Sequence, residues 1–168
     1  DVCSSDLFVL DETCIPVGKY QSFSLDIEDG DIQLEAAPEP YNAQISLLIA
    51  VSVQGKKGTP VSEEIQQAVQ KSIAISQDES NPTQFKKVIQ FSEGFPDGVN
   101  VSLFVRGYIP PSLAMQTQTK DGDITLQGFT SNVESKTGDG DLTLINCLGA
   151  LHAKTGDGDI NITNAGET

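Results

Sequence analysis

Apolar and polar residues alternate along much of this chain, which is the period of a β-strand with one buried face. Phe23, Leu25 and Ile27 alternate with polar neighbours, Glu28-Asp29-Gly30-Asp31 interrupts, and Ile32 and Leu34 resume the alternation. Asp-Gly between two alternating runs is a hairpin signal, because Gly takes positive φ without a Cβ clash. The pattern predicts a hairpin over residues 20–36. A nearly continuous apolar run, Ile45 to Val53, predicts a strand over residues 43–53. Further strands are expected over residues 73–76, 85–92 and 99–106. One stretch carries the helical period: Val61, Ile65, Ala68 and Val69 fall on one face. Thr59 is placed as N-cap, Pro60 suits the first turn, and Glu63 and Glu64 suit the positive end of the dipole. The helix is expected over about residues 60–72.

The last third of the chain repeats itself. Thr119-Lys-Asp-Gly-Asp-Ile-Thr-Leu, Thr137-Gly-Asp-Gly-Asp-Leu-Thr-Leu and Thr155-Gly-Asp-Gly-Asp-Ile-Asn-Ile recur every 18 residues. Met115 aligns with Val133 and Leu151, Ile124 with Leu142 and Ile160, and Leu126 with Leu144 and Ile162. Thr125, Thr143 and Asn161 lie between apolar positions and should face outward. A fixed period of this kind marks a stacked architecture, since one short unit cannot bury its apolar face alone. The expected fold is mainly β: a β-solenoid-like stack of 18-residue period, or a repeated hairpin stack with solenoid character. It is joined to an N-terminal β-rich portion with one α-helix. The expected organisation is an irregular lead-in at residues 1–18, a mixed portion at 19–110 and repeats at 111–168, with Pro110-Pro111 as the break.

Composition narrows the possible partners. The 168 residues carry a formal net charge of −14, with one His and no Trp. Phosphate backbones and anionic lipid should repel such a chain, which disfavours nucleic-acid and membrane-surface roles. No run of about 18 apolar residues is present, so no transmembrane helix or membrane insertion is expected. No leader is visible, as expected of a mature exported chain. Cys3 and Cys14 lie in a segment without the further Cys or His ligands a zinc site needs. A Cys3–Cys14 disulfide is the preferred reading and implies an oxidising compartment; two free thiols are the alternative. Cys147 aligns with Phe129 and Ala165 and reads as a small buried apolar residue.

The order of several short passages resembles a family. Val99-Asn-Val-Ser-Leu-Phe-Val-Arg is followed by Ile109-Pro-Pro-Ser-Leu and then by Gln118-Thr-Lys-Asp-Gly-Asp-Ile-Thr-Leu-Gln-Gly. This succession is similar to the bacterial putative-adhesin family of β-strand repeats, over roughly residues 20–168. The resemblance implies an exported or envelope-associated β-repeat protein and brings no catalytic residues with it. The chain departs from the family pattern in placing Asp before the Gly of its repeats, where Ser or Asn is usual. The Cys3/Cys14 lead-in has no counterpart in that pattern.

The paired aspartates are the sharpest chemical feature. Stacking would set Asp121, Asp139 and Asp157 in one column and Asp123, Asp141 and Asp159 in another. Like charges on adjacent strands cost up to about 1 kcal/mol per pair. Lys136 and Lys154, a matching pair before the turns, could offset this, and so could bound calcium held by carboxylates and turn carbonyls. The calcium β-roll, however, repeats its acidic turn every nine residues, and here the other half of each unit lacks one. The favoured reading is that these carboxylates accept turn N–H bonds. No catalytic or cofactor-binding residue is assigned: His152 aligns with the outward Glu134, no nucleophile is placed to use it, and Lys56-Lys57 reads as a solvated turn. Three functions remain in view. The first is a non-enzymatic structural or adhesive envelope protein that meets a protein or surface glycan through outward Thr, Asn and Gln. The second is a self-assembling subunit that pairs through the strand at residues 160–163. The third is a carbohydrate-active enzyme using paired carboxylates.

Overall fold

A computed structural model describes residues 5–40, 43–55, 62–92 and 94–163. The elements in chain order are β1 (Ser5–Pro16), β2 (Ser22–Ile27), β3 (Asp31–Ala36), β4 (Gln44–Gly55), α1 (Glu63–Lys71), β5 (Ile73–Gln77), β6 (Gln84–Phe91), β7 (Val99–Ile109), β8 (Ala114–Thr119), β9 (Ile124–Gln127), β10 (Val133–Thr137), β11 (Leu142–Ile145), β12 (Leu151–Thr155) and β13 (Ile160–Thr163). The chain is mainly β and forms two mixed sheets. Their strand orders are β1-β4-β7-β3-β9-β11-β13 and β12-β10-β8-β2-β6-β5. Apolar side chains from both sheets, among them Phe23, Leu34, Ile49, Phe85, Ile124 and Phe129, make one buried cluster.

The segment expected to be a hairpin is built differently. β2 and β3 do not pair with each other. β2 lies between β6 and β8 in one sheet, and β3 lies between β7 and β9 in the other. Residues 28–30 therefore make a corner from sheet to sheet rather than a hairpin turn. Parallel neighbours supply the backbone partners that a hairpin would have supplied internally. Phe23 sits opposite Met115 and Ile32 opposite Ile124. The upstream segment is thus an early copy of the repeat corner, lying directly against the first of the three C-terminal copies.

The three copies follow the same plan. β8, β10 and β12 pair in parallel with Met115, Val133 and Leu151 in line. β9, β11 and β13 pair in parallel with Ile124, Leu142 and Ile160 in line. Each coil contributes one strand to each sheet, and equivalent apolar residues stack. Thr125 and Thr143 are half-buried and Asn161 is exposed, on the side away from the core.

The end of the stack beside β2 and β3 is covered. Antiparallel β4 and β1 extend one sheet beyond β7, and antiparallel β5 extends the other beyond β6. Residues 5–16, expected to be irregular, form β1. Phe8, Leu10 and Ile15 pack on the core, while Leu7 and Val9 face out. The register shifts between Val9 and Asp11. Beyond that bulge, the Asp11 carboxylate receives a 3.1 Å bond from the nearly buried Lys87 Nζ of the opposite sheet. The charged sequence Asp11-Glu12 masks the strand pattern because the bulge turns Asp11 toward a cation.

The helix begins one turn later than expected. Ser62 is its N-cap and accepts from Ile65 N at 3.2 Å, and Val69 is buried. Thr59, Pro60, Val61 and the Lys56-Lys57 turn lie outside the described residues. The expected Cys3–Cys14 disulfide lies outside the described residues through Cys3. Cys14 is an exposed free thiol near Gln44 and Ser46, and Cys3 lies outside the described residues.

Candidate functional site

The repeat corners gather the polar chemistry. In each, a Thr hydroxyl points inward and binds the backbone of the preceding coil. Thr119 Oγ1 donates to Gly30 O at 3.0 Å, Thr137 to Gly122 O at 2.8 Å and Thr155 to Gly140 O at 2.7 Å. Thr137 and Thr155 also accept from the N–H groups of Gly140 and Gly158 in their own corners. Thr117 and Ser135 share a buried 2.9 Å bond between coils. These inward hydroxyls are satisfied without water, so polar residues occupy core positions without an unpaired cost. Small residues are required beside them. A Cβ on Gly140 would run into the carbonyl of Gly122, and one on Gly122 into that of Gly30.

The second aspartate of each corner also serves the stack. Asp123 N donates to Asp31 Oδ1 at 2.9 Å, Asp141 N to Asp123 Oδ1 at 2.8 Å, and Asp159 N to Asp141 Oδ1 at 2.9 Å. Backbone bonds run the other way: Ile32 N donates to Asp123 O, Ile124 N to Asp141 O, and Leu142 N to Asp159 O. Each carboxylate therefore accepts the N–H of the next coil. The expectation that these aspartates accept N–H bonds is met between coils rather than within one turn.

The first aspartates, Asp121, Asp139 and Asp157, are exposed, and Asp29 continues their column beside Asp121. Loss of surrounding water, then the charges of Asp121 and Asp157, raises the Asp139 carboxyl above its ordinary range. Burial, then Asp121, Asp31 and Glu28, raises Asp29 in the same direction. The cations expected to offset this crowding do not reach it. Lys136 and Lys154 stand in register on the strands of the six-stranded sheet, in line with Gln118 and Asp26. Among the described residues, the ion pairs within 4.0 Å are Lys86–Asp78 and Lys87–Asp11. No group of three or more His, Cys, Asp or Glu is placed among the described residues to hold a metal ion. His152 is exposed beside Glu134, and Cys147 is buried with its thiol toward Leu126 O and Ile145 O.

A second site was not evident from the repeats. On the outer face of the seven-stranded sheet, β7 presents Phe104, Arg106 and Tyr108. Tyr108 is 50% exposed, and the Arg106 guanidinium lies 5.2 Å from the Phe104 ring centre. A cavity of about 420 Å³, bordered by Glu12, Cys14, Ser46 and Leu48, flanks this pair on one side. A smaller one of about 190 Å³, bordered by Gln33 and Glu35, flanks it on the other. The alternation Phe104, Arg106, Tyr108, which runs two residues past the strand expected over 99–106, was the available signal. That this face continues the Thr and Asn face of the repeats depends on a pairing between distant segments.

No family model matches the chain, and no curated protein matches it. Among solved structures it is similar to a putative cell adhesion protein from Clostridium sporogenes, with TM-score 0.43 and 8% identity over 96% of this chain and 99% of that one. A putative adhesin from Bacteroides fragilis gives TM-score 0.33 and 11% identity over 95% and 98% of the two chains. A putative adhesin from Parabacteroides distasonis gives 0.31 and 14% over 95% and 80%. No helix among the described residues is long and apolar enough to cross a membrane.

Proposed function

We propose that this chain is a non-enzymatic structural and adhesive β-repeat protein of the bacterial cell envelope, acting in the periplasm, at the cell surface or outside the cell. In this reading the 18-residue units form a β-solenoid scaffold, and residues 19–110 are its covered base. One observation carries the reading: the inward Thr hydroxyls and the second aspartates of the corners are occupied as joints. Thr119, Thr137 and Thr155 bind the carbonyls of the preceding coil, and Asp31, Asp123 and Asp141 bind the N–H of the following one. Groups held this way stiffen a scaffold and are not free to move protons. The outer faces, rich in Thr, Asn and Gln, are what remains to meet a partner. Beads coated with the protein should hold to bacterial envelope fragments or to extracellular glycoprotein under flow, above beads coated with an equally acidic inert protein. Absence of adhesion, or release of sugar or peptide fragments from those surfaces, would count against the reading.

A second reading has its own observation. The last described coil presents Ile160 and Ile162 at 42% and 51% exposure on β13, the strand at one edge of the seven-stranded sheet. Among the described residues no strand pairs with the outer edge of β13, and such an edge favours strand addition and so self-assembly. Light scattering on size-separated protein tests it: concentration-dependent dimers or filaments abolished by Ile162→Lys support it, and a monomer at every concentration refutes it. Calcium at the first-aspartate column is the remaining proposal. Calcium should raise the melting temperature if it bridges Asp121, Asp139 and Asp157, and no shift at millimolar calcium would dismiss it.

A further inference from the structure

The outer face around Arg106 and Tyr108 plays no part in the joints between coils. Four features meet there. Tyr108 is the one aromatic among the large apolar side chains that stand exposed in the described residues. Arg106 is exposed, stacked on Phe104, and forms no ion pair within 4.0 Å among the described residues, so its N–H fork is available. Cavities of about 420 and 190 Å³ lie on the two sides of this pair. A row in register crosses the sheet from Leu48 through Arg106, Gln33, Thr125 and Thr143 to Asn161. The row repeats at the spacing of neighbouring strands, about 4.8 Å.

We propose that this face binds a neutral polysaccharide lying across the strands, with one sugar ring on Tyr108. An exposed ring offers a flat apolar surface with a polar tip, which suits the C–H face of a pyranose. Arg106 and Gln33 supply donors to ring hydroxyls, and Glu35 and Gln33 supply acceptors. The strand-spaced row of amides and hydroxyls suits a ligand that itself repeats along a line at about the length of one sugar. Charge selects the class. Glu12 and Glu35 border the two cavities, and the chain carries a net −14, so uronic or sulfated polymers and nucleic acids are repelled. A neutral chain loses nothing to that field. The proposal rests on the adhesive reading and names its ligand class and its residues.

Electrophoresis of the full chain through gels containing β-1,3-glucan, xylan, mannan or dextran tests it, with alginate and polygalacturonate as acidic counterparts. At least one neutral polymer should retard the protein. Tyr108→Ala should weaken that retardation about ten-fold, Arg106→Gln should weaken it less, and His152→Ala on the opposite sheet should leave it unchanged. Melting temperatures establish that each variant is folded. If Tyr108→Ala is not, Gln33→Ala at the neighbouring strand is read in its place. No retardation by any neutral polymer, retardation by acidic polymers alone, or full retardation of the variants would overturn the proposal. If coated beads adhere while these gels are negative, the glycan assignment falls and the adhesive reading stands; if the beads also fail, both fall.

Discussion

The first and last coils are written in nearly the same words and live in different surroundings. Asp29-Gly30-Asp31-Ile32-Gln33-Leu34 opens the stack, and Asp157-Gly158-Asp159-Ile160-Asn161-Ile162 closes it. Ile32 and Leu34 are at most 1% exposed, while Ile160 and Ile162 are at 42% and 51%. The first coil has β6 and β7 on its far side, and the last has no further strand among the described residues. Local sequence therefore sets the shape of a coil, and its neighbours set its stability. Burial of a whole apolar side chain is worth about 1.5–3 kcal/mol, so identical phrases should differ widely in what they contribute.

Alanine at equivalent apolar positions sharpens this contrast most. Leu126→Ala, in a fully buried middle coil, should destabilise the protein by about 3 kcal/mol in urea unfolding. Ile162→Ala, at the matching place in the last coil, should cost under about 1 kcal/mol. Equal losses would mean that the last coil is covered in solution. The Thr joints come next. Thr137→Val removes a buried donor to Gly122 O and an acceptor for Gly140 N, and should cost about 1–2 kcal/mol. Thr155→Val makes the same cut at a half-buried site and should cost less.

The aspartate joints give a smaller and more pointed contrast. Asp141→Ala leaves Asp159 N–H without its acceptor and should cost about 1 kcal/mol. Asp159→Ala has no described coil above it to serve and should be close to neutral. The smallest effect is electrostatic. A carboxyl whose folded pKa is raised disfavours the folded state when charged, and this penalty is relieved as pH falls through the folded value. The raised carboxyls of Asp139 and Asp29 therefore predict a contribution to the melting temperature that grows as pH is lowered through their raised values toward the ordinary 3.8. Asp139→Asn should raise the melting temperature at pH 7 and flatten that climb. Bonds from Ser80, then the nearby Lys86, hold Asp78 below its ordinary range, so its contribution is lost only at lower pH.

Much of the stack was legible in the sequence. The 18-residue period put Ile124, Leu142 and Ile160 in one column because in-register parallel pairing preserves sequence phase, and strands β4 to β7 followed from their apolar runs. The role of Asp29-Gly30-Asp31 was not legible. A hairpin and a sheet-to-sheet corner share the same local signal, and what separates them is a partner 92 residues away, where Asp123 N meets Asp31 Oδ1. β1 was hidden by Asp11 and Glu12 at its bulge, and the inward Thr residues by their polarity. Asp123 and Asp141 accept N–H bonds as expected, though their donors on the next coil could not be named from sequence. Tyr108 and Arg106 belong to a face that exists only once β7 lies beside β3 and β9, so composition of the repeats alone concealed it.

Amide hydrogen exchange read coil by coil tests the central claim most directly. Protection should be strong and similar at Ile32, Ile124 and Leu142, whose N–H groups bond to the next coil, and should fall sharply across β13, where one edge has no strand beside it among the described residues. Protection in β13 equal to that of β9 would contradict the account in which its neighbours set the stability of a coil.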